Sequence, residues 1–198
     1  KILKLLSILI LLVLLFLFAA SRLMQDKVAA IILKSLNENI TTKLQVGTFR
    51  LSFLSKFPRA SLELRDVFVH SSPNFNSAEF SGINSDTLLR ARMVSIEFKY
   101  TDILRGNYTI ERIQARGGKM NFFTDSEGRV NYDISKGIKK PESDVFTIDL
   151  KKIYLAGIRA YYNSRAASLI INGVVRKGTL KSRIHGDNID FNASADIQ

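Results

Sequence analysis

Residues 94–100 read Val94-Ser95-Ile96-Glu97-Phe98-Lys99-Tyr100 and decide the fold class of this chain. Apolar side chains occupy every second position, and serine, glutamate and lysine lie between them. Because successive side chains of a β-strand point to opposite faces of a sheet, this period predicts a strand with one dry and one wet face. A helix would instead place its apolar residues three and four positions apart.

The same period extends to both sides of this strand. Upstream, apolar residues alternate through 60–64, and the alternation resumes at Val67 after a shift at Arg65-Asp66 that we interpret as a β-bulge. Downstream, runs with this period occupy 108–110, 120–122, 148–150, 158–162, 169–171 and 189–197. The chain from Thr41 onward is therefore predicted to be mainly β, in antiparallel pairings.

Turn-forming residues separate these runs. We predict turns at Gly117-Gly118, at 125–128 and at Lys177-Gly178, and longer polar loops at 71–87 and 135–144. The second loop is a candidate boundary between two sub-sheets. The sequence still alternates near Gln198, so we expect it to be the N-terminal part of a longer chain.

No second amphipathic helix follows Val46 to cover the dry face. A sheet of this length must therefore bury its apolar side in one of three ways. It can curl on itself, close against another sheet, or hold an apolar ligand. Periodicity alone leaves these three alternatives open.

The N-terminal segment is predicted to anchor the chain in a membrane. Residues 5–20 contain one polar residue, Ser7, and no glycine or proline, and a bilayer core of about 30 Å needs about 20 apolar helical residues. A cleaved signal peptide is the alternative, because a basic start and small residues at 19–21 suit one. The length of the apolar run favours a retained transmembrane anchor over residues 1–21.

Residues 22–40 carry an apolar stripe at helical spacing and are predicted to form a juxtamembrane amphipathic helix. Residues 41–198 would then form one β-rich domain. With a short N-terminal tail in the cytoplasm and no second span, that domain would lie outside the cytoplasm.

The amino-acid composition limits the kinds of catalytic and metal site that the chain can form. The chain has no cysteine and only two histidines, His70 and His185, neither of which stands in a cluster with metal-ligand spacing. Asp125, Glu127 and Asp133 gather near a turn, where an aspartate commonly bonds to its own backbone. No phosphate-binding glycine loop or nucleophile motif occurs, so we expect no enzyme, no catalytic residue, no metal and no cofactor.

The net charge of +11 bears on the partners. The basic residues are spread along the chain without an aromatic and basic nucleic-acid signature, so no nucleic-acid partner is expected. Attraction to anionic lipid head groups fits the charge better, and a generally solvated basic surface fits it equally well.

The order of these features resembles the N-terminal region of AsmA-like proteins, which are related to TamB and to bridge-like lipid-transfer proteins. The likeness extends over residues 1 to about 135, with Gly118 where the family has proline. It is carried by the anchor and by the segments Val46-Gly47-Thr48-Phe49-Arg50-Leu51-Ser52, Phe57-Pro58-Arg59-Ala60-Ser61-Leu62-Glu63-Leu64-Arg65-Asp66-Val67 and Lys119-Met120-Asn121-Phe122-Phe123-Thr124-Asp125-Ser126-Glu127-Gly128-Arg129-Val130-Asn131-Tyr132.

The resemblance implies a single-pass protein of the bacterial inner membrane with most of its chain in the periplasm. It also implies a long, curved, open β-groove that handles or conducts phospholipids toward the outer membrane and supports envelope integrity. The residues expected to line the groove are Val94, Ile96, Phe98, Ile110, Met120 and Phe122. The alternative is a non-catalytic periplasmic scaffold that contacts other envelope proteins through its sheet edge or dry face.

Overall fold

A computed structural model of the chain describes residues 2–56, 59–99, 101–102, 105, 108–134, 136, 146–185 and 188–198. One long helix, α1 (Ile2–Asn39), precedes an eight-stranded sheet, and a short 3-10 turn spans Ser77–Phe80. The strands are β1 (Leu44–Gln45), β2 (Thr48–Lys56), β3 (Arg59–His70), β4 (Thr87–Lys99), β5 (Tyr108–Thr124), β6 (Phe146–Ser164), β7 (Leu169–His185) and β8 (Asn188–Ile197). The predicted mainly β fold with an N-terminal helix is confirmed.

The sheet is open in the part of the chain that the structure describes. Strands β1 and β2 both pair with β3 at one edge, and the order then runs β4, β5, β6, β7 and β8. The pairings are antiparallel, as predicted, except that β5 and β6 are parallel. A parallel pair requires a crossover connection, which here leads from Thr124 to Phe146. The predicted sub-sheet boundary at 135–144 lies outside the described residues, apart from Lys136.

Helix α1 runs without a break through residues 21 and 22, so the predicted anchor and amphipathic helix form one continuous helix. Its first half is exposed, including Leu5 and Phe16. In its second half Val28, Ala29 and Ile32 are fully buried, because this half packs on the sheet at β2. The apolar stripe expected in this segment therefore faces the sheet.

A row of residues crosses the sheet at right angles to the strands, and we call it the crease. The residues on either side of each member are paired with the neighbouring strand, and the member itself lies opposite the row residue of that strand. The row is Gly47, Asp66, Arg92, Gly117, Gly157 and Arg176. Asp66, Gly117 and Gly157 have φ values of 52°, 58° and 61°, in the left-handed region that resets the alternation of a strand.

The crease keeps the apolar residues on one side of the sheet. On β3 the buried residues Leu64 and Val67 flank it, and on β4 it lies between Val94 and Ala91. In a regular strand, residues three apart would point to opposite faces. The shift in alternation predicted at Arg65-Asp66 occurs at Asp66, but β3 keeps its register with its neighbours across this position, so no extra residue is inserted as in a bulge.

Two predicted turns are wrong. Gly117-Gly118 lies inside β5, and Lys177-Gly178 lies inside β7. Gly118 has φ 155°, and a Cβ atom there would overlap the carbonyl oxygen of Arg90 on β4. The glycine pair therefore permits positive φ values and a close backbone contact inside the strand rather than a chain reversal.

Two apolar clusters stabilise the fold. The larger one unites α1 with one side of β2, β3, β4 and β5. The smaller one lies on the opposite side, where Phe75 from the 71–86 loop stacks on Phe123 and Phe80 packs against it at a tilt. This predicted loop thus covers one end of the polar side of the sheet.

Candidate functional site

The candidate site is the apolar face, defined as the side of the sheet that carries Leu62, Ile96 and Ile113 before the crease and Val67 and Ile158 beyond it. Register places Leu62, Ile96 and Ile113 side by side on β3, β4 and β5. Ile113 is followed by Ile153 on β6. A single apolar row therefore crosses the sheet from strand to strand.

All six residues predicted to line a groove lie on this face. Val94, Ile96, Phe98 and Ile110 are buried, with 8%, 2%, 0% and 1% of their surface exposed. Met120 and Phe122 are partly exposed and pack against the same cluster. The first four have almost no surface for an acyl chain to contact in this conformation. Their lining role stays a prediction, and the accessible part of the face lies elsewhere.

The accessible part is carried by the later strands. Register aligns Phe122 on β5 with Tyr162 on β6 and Ile171 on β7, and it aligns Val175 with Ile197 on β8. Ile171 and Ile197 are 54% and 62% exposed. We call this region, over β5 to β8, the open apolar face.

The alternation at 169–171 predicts a strand, but it does not by itself assign Leu169 and Ile171 to the site. These residues are more exposed than Ile96 because α1 packs on β2 and shields the early strands. Strand periodicity reports which side chains share a face, but not which part of that face another element covers. Only tertiary packing distinguishes the covered part of the apolar face from its accessible part.

Contacts of α1 with the sheet fix how the apolar face lies relative to the exposed apolar residues 2–18 of the helix. The Ser21 hydroxyl contacts β2 at Phe53, and Thr41, just after the helix, bonds to the Ile134 carbonyl. The helix rises about 27 Å over the eighteen steps from Ser21 to Asn39. The strand path from Phe53 back to Leu44 spans about 30 Å, so helix and strands run side by side. Residues 2–18 therefore leave the sheet near the β2–β3 connection.

Charged groups surround this end of the sheet. The Glu111 carboxylate forms ion pairs with the Arg59 guanidinium at 3.0 Å and with the Lys99 ammonium at 3.6 Å. On the polar side, buried Glu97 pairs with Arg112 at 3.5 Å, and the Arg112 guanidinium lies 4.9 Å from the Tyr154 ring centroid. These contacts join β3, β4, β5 and β6 to one another, and a structural role accounts for them.

The acidic turn is also structural. Asp125 accepts backbone hydrogen bonds from Glu127 at 3.1 Å and Arg129 at 2.8 Å, as expected for a turn aspartate. Burial alone would raise the pKa of Asp125. Hydrogen bonds from the Arg129 side chain and from the Arg129 and Asn76 backbone outweigh burial, so the pKa lies below its ordinary value of 3.8.

The two histidines do not meet in a described site. The His70 ring stands edge-on to Phe68 at 4.4 Å, and its Nε2 lies 3.4 Å from the Gln45 amide nitrogen. His185 belongs to β7, and its side chain lies outside the described part. Among the side chains that the structure describes, no three histidine or carboxylate groups come close enough to hold a metal ion.

Fold and site together define a class: a chain with one helix long and apolar enough to span a membrane, followed by an open, mostly antiparallel sheet. Comparison with known protein families, with curated proteins and with solved structures found no match for this chain. The AsmA-like resemblance therefore rests on the sequence segments named above.

Proposed function

We propose that this chain is an AsmA-like protein, anchored in the bacterial inner membrane, that handles phospholipids in the periplasm. In this proposal the open apolar face receives acyl chains, and the protein carries lipid toward the outer membrane in support of envelope integrity. The observation that carries the proposal is the exposure of Ile171 and Ile197 on the same side as the core.

The energetics favour a ligand or partner on this surface. Apolar surface left in water costs about 25 cal/mol per Å² relative to a covered surface, and each buried methylene contributes about 0.8 kcal/mol. Contiguous exposed apolar patches on folded proteins commonly mark an interaction site. Acyl chains lying across β5 to β8 would cover Leu169 and Ile171 without any catalytic group, so the proposal requires no enzymatic activity.

The position of α1 supports access from a membrane. If residues 2–18 span the bilayer, the β2–β3 end of the sheet stands at the membrane surface. Arg22, Arg59 and Lys99 lie near this end, where cations favour anionic head groups. Phospholipid leaving the bilayer would meet the sheet there.

A scaffold role is the second candidate, and one observation favours it. Ile170 and Val174 are 59% and 38% exposed on the opposite side of β7, which an acyl chain on the open apolar face would not cover. Strand β8 is also an edge of the described sheet. A strand from another envelope protein could pair with β8, and the rest of that partner could cover both faces of β7.

Adjacent residues of β7 provide a matched experiment. Ile170 and Ile171 are the same residue type with similar exposure, but they point to opposite faces. A photoreactive residue at 171 in the full-length protein is expected to crosslink phospholipid in cells, whereas one at 170 gives little lipid crosslinking. Equal lipid crosslinking from both positions, or protein crosslinks alone from 171, would contradict lipid handling on this face and favour the scaffold.

A further inference from the structure

The polar side of the sheet carries a cluster of cations along the crease. Arg90, Lys119 and Arg159 are direct neighbours in register on β4, β5 and β6, and Arg92 is a member of the crease itself. We call these four side chains the cationic cluster. All four residues are exposed.

Cations directly opposite each other on neighbouring strands repel, and sheets commonly place a carboxylate between them. Other arginines of this sheet follow that rule: Arg59 pairs with Glu111, Arg112 with Glu97, and Arg176 with Asp196. In the described part of the chain, no carboxylate lies within ion-pair distance of the cationic cluster. The repulsion is therefore not offset by the protein's own acidic groups.

The cluster surrounds a depression. A cavity of about 360 Å³ is lined by Arg92, Lys119 and Arg159 together with Gly118, Gly157 and Val174, and it has no acidic residue in its lining. It adjoins a larger cavity of about 790 Å³ that shares Arg92, Gly118 and Lys119. The larger cavity also contains Asp66 and Asp86, so the excess of positive charge is greatest in the smaller one.

The glycines of the crease keep this depression open. A Cβ atom on Gly117 would overlap the Arg92 guanidinium, so the missing side chain lets Arg92 lie across β5. At Gly157, whose φ is 61°, no atom lies within 4 Å of where a Cβ would be. Three long cationic side chains therefore reach one hollow whose floor is largely backbone.

We propose that the small cavity binds a phosphate-bearing anion between Arg92, Lys119 and Arg159. Guanidinium groups match the geometry of phosphate oxygens, and lysine adds a point charge. Arg92, which lines this cavity, lies seven residues along β4 from Lys99, or about 23 Å from the end near which α1 leaves the sheet. A head group held in the bilayer plane would not reach it, so the anion arrives from the aqueous side or on an extracted lipid.

Calorimetric titration of the full-length protein in nanodiscs of neutral lipid tests the proposal. One probe is inorganic pyrophosphate at constant ionic strength, and the other is a short-chain phosphatidylglycerol below its micelle concentration. Lys119→Gln combined with Arg159→Gln is expected to weaken binding of the active probe at least about tenfold. Lys177→Gln is the control, because it removes one exposed cation of β7 outside both cavities.

Binding of pyrophosphate that the double variant loses would assign a soluble anion, and binding of the lipid probe alone would assign a head group. Binding of neither probe, or equal weakening in the Lys177→Gln control, would overturn the proposal. Circular dichroism checks that the variants fold, and Arg159→Gln alone replaces the double variant if it does not. The outcome is independent of lipid handling on the open apolar face, which lies on the other side of the sheet.

Discussion

The Ser21 hydroxyl accepts a hydrogen bond from the backbone N–H of Phe53 at 3.0 Å while donating to the Leu17 carbonyl at 2.8 Å. Ser21 is 6% exposed and lies where α1 leaves the sheet. This contact fixes the helix against β2 at the level where its exposed apolar segment begins. The direction of this apolar segment relative to the sheet therefore depends on it.

Replacing Ser21 by alanine removes this acceptor from a buried position. We expect Ser21→Ala to lower the free energy of unfolding by about 1–2 kcal/mol, because the loss of a buried hydrogen-bond partner is costly. Ser7→Ala is the control, since the Ser7 hydroxyl bonds to the Lys4 carbonyl on an exposed turn of α1. Denaturant unfolding of the two variants in detergent measures the difference, and equal stabilities would show that the contact does not hold the helix.

The two parts of the apolar face should differ in their tolerance of charge. Ile96→Asp places a carboxylate at a position that is 2% exposed and is expected to destabilise the domain by at least about 3 kcal/mol. Ile171→Asp, at a position that is 54% exposed, is expected to change stability by less than about 1 kcal/mol. Limited proteolysis compares them. A protease-resistant Ile96→Asp domain would mean that the early strands form an open groove floor, as the AsmA-like resemblance implies.

Alanine substitutions at the two crease-side glycines, Gly118 and Gly157, should lower stability by different amounts. At Gly118 the added methyl group would meet the backbone of Arg90, which cannot move without disturbing β4, so we expect a loss of at least about 3 kcal/mol. At Gly157 nothing lies within 4 Å, and only the left-handed φ opposes alanine, for about 1–2 kcal/mol. Thermal unfolding of both variants checks the order, and a Gly157→Ala loss as large as that of Gly118→Ala would contradict the close contact.

The stability that the turn at Asp125 contributes should depend on acid pH. Because its folded pKa lies below the ordinary 3.8, ionised Asp125 stabilises the fold fully above that value. The contribution is lost as pH falls through the lower, folded pKa. Unfolding temperatures measured from about pH 6 to about pH 2 should fall less steeply for Asp125→Asn than for the parent. Asp133→Asn, at an exposed position, serves as the control, and a parent slope matching that of Asp125→Asn would contradict the assignment.

The sequence predicted the features of the fold that local patterns encode. Alternation in 94–100 identified β4, and the shift of the apolar period at Arg65-Asp66 identified the position where β3 meets the crease. The 71–87 loop and the turn at 125–128 followed from their polar and glycine residues. Each of these signals lies within a few neighbouring residues.

Other features depend on contacts between distant parts of the chain. Gly117-Gly118 has the composition of a turn, and only its place opposite Arg92 and beside Gly157 shows that it continues a crease. The parallel pairing of β5 with β6 depends on a connection rather than on either strand. The burial of Ile96 depends on the packing of α1 and the neighbouring strands, which periodicity cannot report.

Bound lipid tests the central claim most directly. The full-length protein and its Ile171→Asp and Ile170→Asp variants would be extracted gently, and co-purifying phospholipid would be quantified by mass spectrometry per mole of folded protein. We expect lipid with the parent and with Ile170→Asp, and a loss of at least about fivefold with Ile171→Asp, because only that change puts a charge on the open apolar face. Equal lipid in all three proteins, or none in the parent, would contradict lipid handling by this face.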